Sequence, residues 1–250
     1  MIRVIVIRTA GTNCDLEMVH AFELAGARVD RVHVRRLVRK EVRLDDFQIV
    51  AIPGGFTYGD DIAGGKILAN ELQAHVGEDL RRFVDSGKLL LGVCNGFQVL
   101  VKMGFLPGGG QAATLATNDS NRFEDRWVYI KAETDRTPFI GKGEVIALPV
   151  AHAEGKFIVR TREELQRLKD QDRIVFRYVD AEGQPGPYPV NPNGSQGDVA
   201  GICDETGRVM GLMPHPERHI YPHHHPRWTR LPKKEGDGLR IFRNAIRNLS

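Results

Sequence analysis

The run KLLLGVCNGFQVLVKMG (88–104) places a cysteine, Cys94, at the end of an apolar stretch, Leu89 to Val93. A helix-like pattern carried by Phe97, Val99, Leu100 and Met103 follows at once. A thiol on the turn between a buried strand and a helix is lifted clear of the sheet and meets the helix's positive end, where a thiolate is favoured. Gly92 and Gly96 relieve the crowding that so tight a turn imposes. A second run, GLMPHPER (211–218), sets His215 and Glu217 two positions apart in an extended, proline-stiffened segment. That spacing projects both side chains to one face. The carboxylate can then hold the imidazole in one tautomer while the other nitrogen faces a nucleophile. Cysteine, histidine and a carboxylate are the minimum parts of a nucleophilic hydrolase. The competing readings are a buried cysteine acting as a small hydrophobe and an incidental His–Glu pair.

Other residues compete for or complete this chemistry. Cys14, in TNC, also precedes a helix, but it has no flanking glycines on both sides and no nearby His-x-Glu, so packing or loop ordering is its expected role. PGGF (53–56) follows a buried strand. It is either an ordinary turn or a place where Gly55 offers its backbone N–H to a developing oxyanion, with the N–H of Asn95 as second donor. His223, His224 and His225 are consecutive and cannot all converge on one ion from a regular element, so a solvated loop is expected. No spacing resembles a zinc set. There is no Walker A sequence and no GxGxxG after a strand.

The elements that must position these residues alternate. Ile2–Ile7, Arg28–Val34, Phe47–Ile52 and Leu89–Val93 read as strands. Helices are expected from Thr12 or Asn13 to about Ala25, from about Ile67 to Val84, and after Cys94. This βαβ rhythm implies a parallel sheet covered on both faces. After Pro107-Gly108-Gly109-Gly110 the pattern turns β-rich, from Ala113 to Val150, with further strands at 174–179, 199–203 and 209–213. A long Pro/Gly/Asn loop spans 181–198, and such loops are more often functional than idle. A short amphipathic helix closes the chain. The expected fold class is α/β, a mixed, mostly parallel central sheet with helices on both faces and β-rich insertions in the second half. It forms one domain over 1–250 with a loop-and-helix extension from about 221.

Totals narrow the function. With 250 residues the chain suits one sizeable α/β domain, and 41% hydrophobic residues supply a normal core. Net charge is +3, from 35 Lys+Arg against 32 Asp+Glu, which gives no electrostatic case for nucleic acid; the basic run VRRLVRK (34–40) reads as a solvated face. Three cysteines without CxxC spacing argue for a reducing compartment. The N-terminus reads as a first strand, not a signal peptide, and no apolar run approaches the roughly 20 residues of a membrane span. A cytoplasmic protein without nucleic-acid or membrane partners is expected.

With these residues in place, the sequence resembles a class I, triad-type glutamine amidotransferase, with the flavodoxin-like fold of that class. RTAGTNCD (8–15), PGGFTYGDD (53–61), GVCNGFQVL (92–100), PVAHAEGKF (149–157), VNPNGS (190–195), VAGI (199–202) and GLMPHPER (211–218) occur in the order seen in one family of that class. That family is the glutaminase subunits of phosphoribosylformylglycinamidine synthase, in purine biosynthesis. The resemblance covers about residues 1–220. It implies Cys94 as nucleophile, His215 as base and acid, Glu217 as orienting carboxylate, and Gly55 and Asn95 as oxyanion donors. It implies that Gln98, one helical turn past Cys94, helps hold glutamine, and that His152 lies near the glutamine pocket or a partner surface. No metal or cofactor is expected in this chain. ATP and Mg are expected on a separate synthetase subunit that takes the ammonia, with a small bridging subunit beside it. The sequence departs from the family at Ala10, where many relatives have proline, along DDIAGGKILANEL (60–72), and in the tail after 220. The alternatives are a glutaminase serving another synthetase, or a non-catalytic cysteine-containing sensor or binding module.

Overall fold

The computed structural model describes residues 1–108, 112–231 and 234–249. Gly109 and Gly110 of the expected break, and Pro232 and Lys233 of the tail, lie outside the described residues. Eleven strands are present among those described: β1 (Arg3–Arg8), β2 (Arg28–His33), β3 (Ile49–Ile52), β4 (Leu89–Val93), β5 (Ala113–Ala116), β6 (Glu124–Ala132), β7 (Val145–His152), β8 (Lys156–Val159), β9 (Ile174–Val179), β10 (Val199–Cys203) and β11 (Val209–Leu212). The helices are α1 (Asp15–Leu24), α2 (Val34–Val38), α3 (Lys66–Asp85), α4 (Asn95–Lys102), α5 (Arg162–Asp170) and α6 (Leu239–Arg247).

Nine strands form one sheet in the order β2-β1-β3-β4-β11-β10-β9-β6-β7, and β5 pairs with β8 in a separate ribbon. From β2 to β11 every pairing is parallel. From β11 to β7 every pairing is antiparallel. Every residue of β3, β4 and β11 is buried, so both sheet faces are covered there, which explains their unbroken apolar runs. Helices α3 and α4 pack together, and α1 packs against α6. The tail is thus tied into the core: Phe242 meets Phe22 edge to face, ring centroids 4.8 Å apart, and both are fully buried.

The expected parallel strands and their helices are present within a residue or two at their ends. Helix α1 starts one residue later than the Thr12/Asn13 cap predicts, with Cys14 at the N-cap. The basic run 34–40 does expose Arg35, Arg36, Arg39 and Lys40, but Val34 and Leu37 anchor it as α2. The sequence reading placed no element between 150 and 174, where β8 and α5 form. Among the residues of α5 only Leu168 is buried, so the apolar signal is nearly absent. The helix is announced instead by its cap, Thr161 accepting from Glu164 N at 3.3 Å. His225 also departs from the solvated-loop expectation. It is buried against Trp127, ring centroids 4.6 Å apart, while His223 and His224 are exposed.

Strand β7 ends the sheet, and its outer edge meets the chain's own later segments. Ala147 N donates to Asp237, Ala147 O bonds His219 Nδ1 at 2.6 Å, and Pro149 O accepts from His215 N at 2.8 Å.

Candidate active site

Four parallel strands release their chains at the same edge of the sheet: β1 toward Cys14, β3 toward Gly54 and Gly55, β4 into Cys94, and β11 toward His215. Ligands of open α/β sheets bind at these carboxyl ends. Cys94 is the N-cap of α4 with φ 52° and ψ −108°, a left-handed backbone for a non-glycine residue. Such strain costs about 1–3 kcal/mol and persists only where the surroundings enforce it. Two contacts enforce it here. Cys94 N donates to Leu212 O at 2.8 Å, tying the turn to β11. One residue on, α4 crosses β3 so closely that a β-carbon at Gly96 would lie 1.9 Å from Ile52 O. Only glycine permits that approach.

His215 and Glu217 are both buried, and Nδ1 of the imidazole meets Glu217 Oε1 at 2.6 Å. Burial works against a charged imidazole, but the Glu217 carboxylate and, after it, Cys94 and Cys14 outweigh burial and hold His215 well above the ordinary histidine range. Nε2 is buried with no hydrogen-bond partner, which leaves the nitrogen opposite Glu217 available. The place where these groups meet is marked by Gly54. A β-carbon there would lie 2.6 Å from His215 Cε1 and 3.3 Å from both Cys94 Cβ and Cys14 Sγ. The structure therefore brings sulfur, imidazole and carboxylate from β4 and the β11 turn to one point. The Cys94 thiol also lies 3.8 Å from Ala151 O, at the end of β7.

The backbone N–H groups expected to act as donors belong to the residues that follow Gly54 and Cys94. Gly55 has φ +142°, and a side chain there would strike Asn13 N and Gly11 O, each 2.7 Å away. The turn is fastened by Phe56 N to Gly11 O and Cys14 N to Gly54 O; Gly55 N–H takes part in neither bond. Asn95 is the first residue of α4, so its N–H has no acceptor within the helix. Its side chain fixes the turn by accepting from Thr57 Oγ1 at 2.6 Å and donating to Asp60 and Gln98.

Gln98 and His152 occupy a second layer. The Gln98 carboxamide accepts from Asn95 and donates to Glu154 O at 2.6 Å, and Glu154 Oε2 accepts from Gly64 N at 3.0 Å. Asn95, Gln98 and Glu154 together lock the 60–65 loop, α4 and the AHAEG loop to one another. His152 is 2% exposed, with Nδ1 3.2 Å from Asn118 Oδ1. Burial, aided by nearby His215, pushes its pKa down to about 3, so it is neutral at pH 7. Asn118 also holds Gly155 N and His152 O. From the NPNGS segment, Asn193 reaches Gly155 O and Ser195 Oγ accepts from Phe157 N, each at 2.9 Å. The motifs outside the triad thus build the frame around the 152–157 loop.

A pocket of about 190 Å³ opens on Cys94, bordered by Asn13, Gly55, Phe56, Ala151 and His215. A larger cavity, about 760 Å³, lies along the 181–198 loop and shares no lining residue with it. The strained cysteine and the imidazole with its unpartnered nitrogen both border the smaller one. Among the described residues one group has metal-ligand types: Cys14, His215 and Glu217, with ligand atoms within 4.8 Å of one another. Nδ1 is already engaged by Glu217, an arrangement that orients a base. Sequence reasoning assigned nothing to Arg218 or Asp125, which also border the small pocket. Arg218 was visible only as Glu217's neighbour. Asp125 enters through the β6–β7 register, which no local pattern gives. Among the described residues no helix is long and apolar enough to cross a membrane.

Comparison with known proteins shows the family. The CobB/CobQ-like glutamine amidotransferase domain matches residues 1–248. The chain belongs to that family. It is 48% identical to the phosphoribosylformylglycinamidine synthase subunit PurQ of Dehalococcoides mccartyi, over 98% of this chain and 97% of the relative. It is 43% identical to the subunit of the same name from Methanococcus maripaludis, over 98% and 96%. A chain in the structure of PurLQS from Thermotoga maritima superposes with a TM-score of 0.76 at 31% identity, covering 100% of this chain and 99% of the other. The α/β fold class and the amidotransferase resemblance read from the sequence are both borne out.

Proposed function

We propose that Cys94, His215 and Glu217 form the triad by which this chain, the glutaminase subunit of phosphoribosylformylglycinamidine synthase in purine biosynthesis, hydrolyses glutamine. The Cys94 thiol passes its proton to His215, and the sulfur attacks the side-chain carboxamide carbon. The oxygen that becomes negative is held by Gly55 N–H and Asn95 N–H, and losing one such donor typically reduces the rate by about 10²–10³-fold. The C–N bond breaks as protonated His215 gives its proton to the departing nitrogen, which leaves as ammonia, and a glutamyl thioester remains on Cys94. His215 then takes a proton from water as the water oxygen attacks the thioester. Glutamate leaves and the thiol is restored. One imidazole serves both steps because each returns it to its starting state. Glu217, at 2.6 Å from Nδ1, keeps the ring oriented and stabilises its protonated form.

Ammonia released into water would be diluted and protonated, so it passes to a separate synthetase subunit on which ATP and Mg²⁺ act; a small bridging subunit joins the two. Gln98 serves the site through Asn95 and the Glu154 loop, and neutral His152 holds that loop from beneath. Residues 1–250 act as one domain in the cytoplasm, the tail docking through α6. The relatives reported above carry the name of one synthase, which supports this pathway over service to another synthetase.

The observation that carries the reading is the convergence of Cys94 and His215 around Gly54, with Glu217 behind the ring. The test is alkylation by an electrophilic glutamine analogue followed by peptide mapping. Modification of Cys94, blocked by excess glutamine, is expected. Modification of Cys14 in its place, or glutamine-insensitive labelling, would overturn the assignment.

A further inference from the structure

We propose that Asp125 and Arg218 recognise the amino-acid end of glutamine, Asp125 holding its α-ammonium and Arg218 its α-carboxylate. The inference rests on Cys94 being the nucleophile, as proposed above. Apart from His215, these are the titratable charged side chains bordering the 190 Å³ pocket, and they carry opposite signs on different elements. Asp125 stands directly across from Ala151 in the β6–β7 pair, and Ala151 O is the atom 3.8 Å from Cys94 Sγ. Directly opposed residues share a sheet face, about 4.5–5.5 Å apart. Asp125 thus borders the pocket from the strand beside the one whose carbonyl meets Sγ. Asp125 makes no hydrogen bond or ion pair among the described residues; its neighbour Arg126 pairs with Glu124 at 2.7 Å and lies over Tyr188.

Arg218 comes from the turn that carries His215 and Glu217. Its Nη2 donates to Cys14 Sγ at 3.1 Å, which fastens the guanidinium beside the pocket. Its remaining N–H groups make no hydrogen bond among the described residues. A planar guanidinium suits a carboxylate better than a point charge does. A glutamine whose carboxamide lies on Sγ has its α-carbon three carbon–carbon bonds away. Both charges on that carbon leave water on entry and need a partner there. Phe56 and Phe123, ring centroids 6.1 Å apart, border the same pocket and give the methylenes an apolar wall. The arrangement reads a free amino acid; a primary amide without the zwitterion leaves both charges unpaired.

The test compares glutamine with 4-carbamoylbutanoate, which has no ammonium, and with 4-aminobutanamide, which has no carboxylate. Binding is read without turnover, as protection of Cys94 from iodoacetamide, and glutamine hydrolysis gives kcat and KM. Asp125→Asn should weaken glutamine binding about tenfold or more and raise KM to match, with kcat within about threefold. It should alter binding of 4-carbamoylbutanoate by less than about threefold. Arg218→Gln should show the mirror pattern, its loss absent with 4-aminobutanamide. Asp125→Asn with unchanged glutamine binding, or with equal losses on glutamine and 4-carbamoylbutanoate, would overturn the proposal. Because Arg218 also supports Cys14, the Asp125 variant decides by itself. Cys94→Ala in the same hydrolysis assay separates the two claims: residual turnover there would defeat the assigned nucleophile, whatever Asp125 does.

Discussion

Cys14 and Cys94 occupy the same kind of place and differ in almost everything that matters for reaction. Each follows a parallel strand, caps a helix and is buried. Cys14 has a relaxed backbone, φ −100° and ψ 14°, whereas Cys94 is held at φ 52°. The Cys14 thiol donates to Asn13 Oδ1 at 3.0 Å and accepts from Arg218. Burial pushes its pKa up, against the pull of His215 and Arg218, so it stays protonated at neutral pH. It faces the same His215 nitrogen that Glu217 holds, 3.8 Å from Nδ1. Both cysteines border the small pocket, and the proposal above gives Cys94 the N–H groups of Gly55 and Asn95 as oxyanion donors. A helix N-terminus alone does not make a nucleophile. On the triad proposed above, the strained turn, the imidazole nitrogen opposite Glu217 and the N–H groups of Gly55 and Asn95 make the difference.

The comparison can be broken most sharply at Cys94. In the assembled synthase, Cys94→Ala should lower glutamine-dependent product formation by at least about 10³-fold and spare ammonium-dependent formation. Loss of both in a variant that still assembles would mean that the sulfur supports the partner's chemistry as well. The next test lies between the two cysteines. Gly54→Ala puts a methyl group 2.6 Å from His215 Cε1, with Cys14 Sγ and Cys94 Cβ each 3.3 Å away. Glutamine kcat/KM should fall about 10²-fold through misplacement of the ring, with about 1–3 kcal/mol of lost stability. Wild-type kinetics would show that the imidazole sits elsewhere during turnover. The smallest effect belongs to Cys14→Ala. It should change kcat by less than about tenfold and lower stability by about 1 kcal/mol, read from kinetics and a melting curve. A Cys14→Ala loss as deep as that of Cys94→Ala would erase the distinction.

Much of the parallel half was legible because β1, β3 and β4 carry buried apolar runs, with Gly11, Gly54 and Gly96 marking the turns that follow them. Leu89–Val93 followed by Cys94-Asn95-Gly96 states strand, turn and helix within eight residues. His215 and Glu217 were legible because their coupling is local, two residues apart. The supporting frame was not. Gln98 reaches Glu154, Asn193 reaches Gly155 and Asn118 reaches His152, and each bond joins segments far apart in the chain. The residue types are ordinary polar ones with no periodicity to betray them. Helix α5 escaped because it buries a single side chain, and His225 because a histidine triplet gives no sign of which member will find Trp127.

The outer edge of β7 has a consequence for how this protein survives at high concentration. A terminal strand with open N–H and C=O groups invites another polypeptide to extend the sheet and so seeds aggregation. Here Ala147 and Pro149 already bond Asp237, His219 and His215 N. The segment that carries His215, the proposed base, is also the guard on that border. Proteolytic nicking near 220 would therefore disarm the enzyme and make it sticky in the same event.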